Sequence, residues 1–153
     1  MGEVWKANED IHEMMRELVG KYHPDLALVV DEIIIVFTEK GNKAVVQGSA
    51  SRVSPMMNIV GGTNYKFMIV LPADKWEQEM TSREREILLN HHLFSCRTDE
   101  DPNTGEPKCY MARPDVVAFA ENVEIYGEAA MFSPKSDEED DSKDPQRSSS
   151  EEV

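Results

Sequence analysis

Residues 26–38 read Leu-Ala-Leu-Val-Val-Asp-Glu-Ile-Ile-Ile-Val-Phe-Thr, and the second half of this run constrains the fold most. Ile33, Ile34, Ile35, Val36 and Phe37 follow one another with no polar residue between them. A strand with one wet face would alternate, and β-branched side chains crowd a helix. Residues 32–38 are therefore expected to form a strand buried on both faces, which requires other elements to cover it.

The neighbouring segments supply candidates. Glu39-Lys40-Gly41-Asn42-Lys43 has turn composition, so residues 44–53 are expected to return as a second strand in a hairpin with the first. Residues 65–71 make a third strand, which Pro72 ends. Between them, residues 54–64 hold a proline and the pair Gly61-Gly62 and read as a loop.

Ahead of the sheet, Asn8 or Asp10 can cap a helix to about Val19. Ile11, Met14, Met15 and Leu18 share its buried face, with Gly20 as the stop and His23-Pro24 in the exit turn. After the third strand, residues 73–80 suit a short helix that turns Trp76 inward. Thr81-Ser82-Arg83-Glu84 is a capping box, in which hydroxyl and carboxylate each satisfy an amide left open at a helix start. It should open a helix to Ser95 with Ile87, Leu88, His91 and Ser95 on one broad face. Residues 97–109 are polar and form a loop or hairpin. Pro114 can begin a last helix bearing Val116, Phe119, Ala120 and Val123, closed by Gly127. The expected fold is α+β: a three- to four-stranded antiparallel or mixed sheet packed by the helices at 81–95 and 114–126.

Charge divides the chain into two parts. Thirty acidic residues face sixteen basic ones, for a net charge of −14. Residues 134–153 hold eight acids and three bases, a share of −5, which leaves −9 on residues 1–133. The first part is expected to fold as one domain. The second is too poor in apolar side chains to bury itself and is expected to be a disordered acidic tail. A body at −9 repels nucleic acid, whose binding needs Lys and Arg against phosphate, and is drawn toward basic protein surfaces. No membrane association is expected, since the apolar runs are short. The acids Glu3, Glu9 and Asp10 stand where a signal peptide would be basic and then apolar. Two cysteines, Cys96 and Cys109, build no disulfide framework and suit a reducing cytosol.

Several stretches then converge on one resemblance. Lys21-Tyr22-His23-Pro24-Asp25-Leu26, Phe67-Met68-Ile69-Val70-Leu71, residues 84–96 and Pro114-Asp115-Val116-Val117-Ala118-Phe119 resemble a phage metallopeptidase family, from about residue 19 to 127. The resemblance implies a zincin-like fold, a zinc cofactor and a setting in the host cytoplasm. The family pattern is Asp-His-Glu-Leu-x-His on the second-last helix and Pro-His-Asp at the start of the last. Two histidines four apart grip zinc from one helical face, and the glutamate between them is the general base for the metal-bound water.

This chain departs from that pattern in Asn90-His91-His92-Leu93-Phe94-Ser95. His91 keeps the first ligand position. His92 stands at the base position, Ser95 at the second ligand position and Pro114 at the later histidine, with Asp115 beside it. A hydroxyl is a poor zinc ligand, and an imidazole cannot replace the carboxylate base. The expectation is a catalytically inactive binding protein without metal. A rebuilt zinc site would draw on His91, His92, Cys96 and Cys109, or on His23. Partner contacts are expected at Asp99, Glu100 and Asp101, which would meet a basic protein such as a nucleic-acid-handling or defence enzyme in the manner of DNA. The apolar Met56 and Met57 are a second candidate surface. An active metallopeptidase and an acidic assembly protein are the alternatives.

Overall fold

The computed structural model describes residues 3–41, 46–113 and 118–132. The tail at 134–153, the turn residues 42–45 and the stretch holding Pro114 and Asp115 lie outside them. The fold is α+β, as expected from the sequence. In chain order its elements are β1 (Val4–Lys6), α1 (Glu9–Tyr22), β2 (Ile33–Thr38), β3 (Ser49–Arg52), α2 (Pro55–Gly61) and β4 (Phe67–Pro72). There follow α3 (Ala73–Gln78), α4 (Ser82–Ser95), β5 (Cys96–Glu100), β6 (Pro107–Met111) and α5 (Ala120–Tyr126).

The main sheet is mixed, in the order β1-β2-β4-β3. β2 and β4 run parallel at its centre, with Ile33 opposite Phe67 and Phe37 opposite Leu71. β1 and β3 flank them antiparallel. The hairpin expected between β2 and β3 does not form: β3 lies on the far side of β4. A strand buried on both faces is best paired with another apolar strand, and β4 is one. Ser49-Ala50-Ser51-Arg52 is polar and short, which suits an edge. Gly48 makes the close approach possible. It has φ +81°, and a Cβ there would stand 2.2 Å from the Val70 carbonyl oxygen.

Three helix expectations are corrected. α1 runs through Gly20 to Tyr22, because a glycine inside a helix only weakens it. The expected loop at 54–64 contains α2, with its punctuation in the right order for a helix. The Ser54 hydroxyl accepts from Met57 N, Pro55 takes the first turn, and Gly62 closes it in a left-handed conformation at φ 67°. The last helix begins at Ala120, with Phe119 extended before it. The β5–β6 hairpin occupies the polar segment, with Asp99 opposite Lys108.

The core joins Ile33, Ile35 and Phe37 of β2 and Phe67, Ile69 and Leu71 of β4 to Met15 and Leu18 of α1 and to Leu88, Leu89 and Leu93 of α4. α4 is buried around its whole girth from Ile87 to Phe94 rather than along one face. Its start is fixed by the capping box: Glu84 N donates to the Thr81 hydroxyl at 3.2 Å, and Thr81 N donates to the Glu84 carboxylate at 2.9 Å. Thr81→Ala is expected to lower stability by about 1–2 kcal/mol. Urea unfolding checks this, and an unchanged midpoint would mean that packing alone holds the helix start.

Candidate functional site

Burial of α4 on all sides forces its polar residues to find partners inside the protein. Asn90, His91 and His92 are all buried. Asn90 sits in a chain of hydrogen bonds in which every donor has an acceptor. His23 Nε2 donates to Asn90 Oδ1 at 2.6 Å, Asn90 Nδ2 donates to Asn122 Oδ1 at 3.0 Å, and Asn122 Nδ2 donates to the Ile87 carbonyl at 3.4 Å. The chain ties the turn after α1 to α4 and α5. The His23 ring also stands edge-on to Phe94, with centroids 4.4 Å apart. Burial lowers the His23 pKa, an effect that the bond to Asn90 opposes.

His92 turns the other way. Its Nε2 donates to the Gln47 carbonyl at 2.8 Å, which joins α4 to the chain entering β3. Gly48 leaves the room for this, since a Cβ on it would come within 3.2 Å of that nitrogen. Burial depresses the His92 pKa to about 4, with partial relief from the Gln47 carbonyl.

His91 is the exception. Its ring lies among Phe119, Phe132 and His92, with centroids 5.1, 5.1 and 5.4 Å away. Its Nδ1 is buried and, among the described residues, has no hydrogen-bond partner. Burial, with a smaller contribution from His92, depresses its pKa to about 3. Ser95, one turn further along α4, is half-buried, and its carbonyl accepts from Ala112 N at 2.8 Å.

The four residues of a rebuilt zinc site are placed on different tasks. The Cys96 thiol is buried against the His92 carbonyl at 3.5 Å, and burial pushes its pKa up. Cys109 is half-buried on β6 opposite Thr98, and burial raises its pKa too. Zinc binds the thiolate, not the thiol. Among the described residues, no three His, Cys, Asp or Glu side chains are grouped so that they could hold a metal ion. Of the residues that the resemblance places at the zinc, His91 offers one imidazole and Ser95 a hydroxyl, while the His92 Nε2 is engaged with the Gln47 carbonyl.

The expected partner residues lie on separate elements. Met56 and Met57 are exposed on α2 together with Ile59 and Val60. Asp99 and Glu100 are exposed at the end of β5, not in a loop. Asp101 is half-buried and builds the turn, its carboxylate accepting from Asn103 N and Thr104 N. The linkage of His23, Asn90 and Asn122, and the role of His12, went unmarked by the sequence motifs. His12 is buried, its Nδ1 donating to the Asn8 carbonyl at 3.1 Å and its Nε2 accepting from Ile35 N at 3.2 Å. The available signal was a polar residue at a helical position reserved for the core. Among the described residues, no helix is long and apolar enough to cross a membrane.

Searches of curated proteins and of solved structures find no match. The sequence does match the family described as "Putative phage metallopeptidase" over residues 3–139, nearly its whole length. With the match covering nearly all of the chain, α4 and its histidines included, the chain belongs to the phage metallopeptidase family.

Proposed function

We propose that this family member works by binding rather than by hydrolysis, occupying a basic surface on a host protein such as a nucleic-acid-handling or defence enzyme. The observation that carries the reading is the state of α4. The residue at the base position, His92, is held by the Gln47 carbonyl, and Ser95 stands where a second imidazole is needed. A polarised water needs an open metal with three protein ligands, and these side chains do not supply them.

The direction of binding follows from charge. Of the net −14, the body carries −9. Arg16 is already shared between Glu9 and Asp31, and Lys75 and Arg97 are paired with Glu79 and Glu121. The net negative charge that remains can steer a basic partner, and a site that binds DNA phosphates would accept it. The setting this implies is the host cytoplasm.

The test has two arms. Full-length protein loaded with zinc and dialysed should hold well under one zinc per chain and cleave no peptide library. The combined variant His92→Glu, Ser95→His, Pro114→His should gain zinc affinity. In the second arm, a protein captured from infected cells should be released by raised salt and by duplex DNA. One zinc per chain with hydrolysis lost in His91→Ala would sink the proposal. So would a partner indifferent to both salt and DNA.

A further inference from the structure

α2 is amphipathic the wrong way round. At 3.6 residues per turn, Ile59, Met56, Val60 and Met57 cover an arc of about 160°, and Asn58 lies opposite. The apolar arc faces outward: Met56 is 74% exposed, Met57 54%, Ile59 81% and Val60 84%. The polar Asn58 faces inward, where its Nδ2 donates to the Tyr65 carbonyl at 2.8 Å and its Oδ1 accepts from Tyr65 N at 3.0 Å and the Thr63 hydroxyl at 2.8 Å. Ser54 caps one end of the helix and Gly62 the other, and the Asn58 bonds fix which face turns toward residues 63–65. Its exposed apolar area is about 500 Å², toward the upper end of the largest patch on an ordinary monomer.

Charge indicates what covers it. Residues 53–65 contain no Asp, Glu, Lys, Arg or His, in a chain that is 30% charged. Two copies of a protein at −14 repel each other wherever carboxylates meet. The α2 face is where they can touch without opposing charges. We infer that α2 is a self-association surface, on which two copies pack their Met56, Met57, Ile59 and Val60 faces together about a two-fold axis.

Area sets the strength. A pair would bury about 1,000 Å² in total, the lower bound for a specific interface, so the dimer is weak. Methionine side chains adapt to one another across such a contact. A lipid surface fits less well, because the face carries neither an aromatic anchor nor a basic residue and anionic headgroups repel the chain. This inference stands apart from the proposed function, and its salt dependence has the opposite sign. Screening removes the repulsion between copies, so association should tighten as salt rises.

Sedimentation equilibrium of the full chain, from about 10 μM to about 1 mM, tests this at low and at high sodium chloride. The expected result is a monomer–dimer equilibrium whose dissociation constant falls roughly tenfold between about 0.02 M and about 0.5 M salt. The neutral double variant Ile59→Gln, Val60→Gln should weaken it by roughly tenfold or more. Val4→Gln, on the opposite edge of the sheet, should leave it unchanged, and melting curves would confirm that each variant is folded. A monomer under every condition would overturn the inference, as would a dimer indifferent to the α2 variant or one loosened by salt. Sedimentation of monomeric protein with phosphatidylcholine vesicles, lost in the double variant, would reassign the patch to lipid and overturn it as well.

Discussion

Between neutral pH and about pH 5 the protein is expected to lose roughly 4 kcal/mol of stability through His91 and His92 alone. Both pKa values are depressed in the folded state, to about 3 and about 4, from an ordinary value of 6.5. Above 6.5 both rings are neutral whether the chain is folded or not, and the full stability is present. Below 6.5 the unfolded chain takes up protons that the folded chain refuses, so each ring removes about 1.4 kcal/mol per pH unit. The loss continues until the pH reaches the folded values. His23, also depressed by burial, acts with the same sign. Against a total of about 5–15 kcal/mol, the loss by pH 5 is large. Urea unfolding at a series of pH values should give a slope close to two protons in that window. A flat profile down to pH 4.5 would show that the rings are solvated.

His91→Phe separates the two rings. The His91 ring already lies among Phe119 and Phe132, and its Nδ1 makes no bond among the described residues. Phenylalanine removes that unsatisfied nitrogen and keeps the ring, so stability at neutral pH should be unchanged or higher. The pH slope should fall by about one proton. His92→Phe should behave differently, because it leaves the Gln47 carbonyl without the donor it has at 2.8 Å.

Asn90→Ala is expected to destabilise the fold by about 3–5 kcal/mol. The side chain is fully buried and is the middle member of its chain. Its removal leaves the His23 Nε2 proton without an acceptor and Asn122 Oδ1 without a donor, each a loss of about 1–3 kcal/mol. The space left behind adds to both. His23→Phe combined with Asn90→Leu should recover part of the loss, because two apolar groups need no partners. A double-mutant cycle between positions 23 and 90 should give a coupling of about 1–2 kcal/mol. Additive effects would mean that the 2.6 Å contact contributes nothing of its own.

These predictions rest on residues that pattern reading treats unequally. The capping box at Thr81 and Glu84 was legible because it depends on two residues three apart in sequence. The strands at β2 and β4 were legible for a similar reason, since runs of apolar residues report burial wherever they end up. The order of the strands was not. A hairpin between β2 and β3 looked natural from chain proximity, yet β4 is the better partner for a fully buried strand and displaces β3 to the edge. Proline and glycine break a helix in its interior, but at α2 their order, Pro at the start and Gly at the end, makes them helix caps.

The site shows the same division. Sequence alone determined that Ser95 stands four residues after His91, because helical spacing fixes which residues share a face. It also determined the acidity of the body, since charge adds without regard to conformation. Only the tertiary structure decided what the imidazoles do: His12 bridges a helix and a strand, His23 is bound to Asn90, His92 to the Gln47 carbonyl, and the His91 ring is packed between Phe119 and Phe132 with its Nδ1 unbonded among the described residues. A histidine's chemistry depends on burial and on partners up to 67 residues away, and no local rule carries that information. Likewise, sequence marked Met56 and Met57 as an apolar patch, but their exposure was settled by Asn58, which turns the opposite face of α2 toward Thr63 and Tyr65.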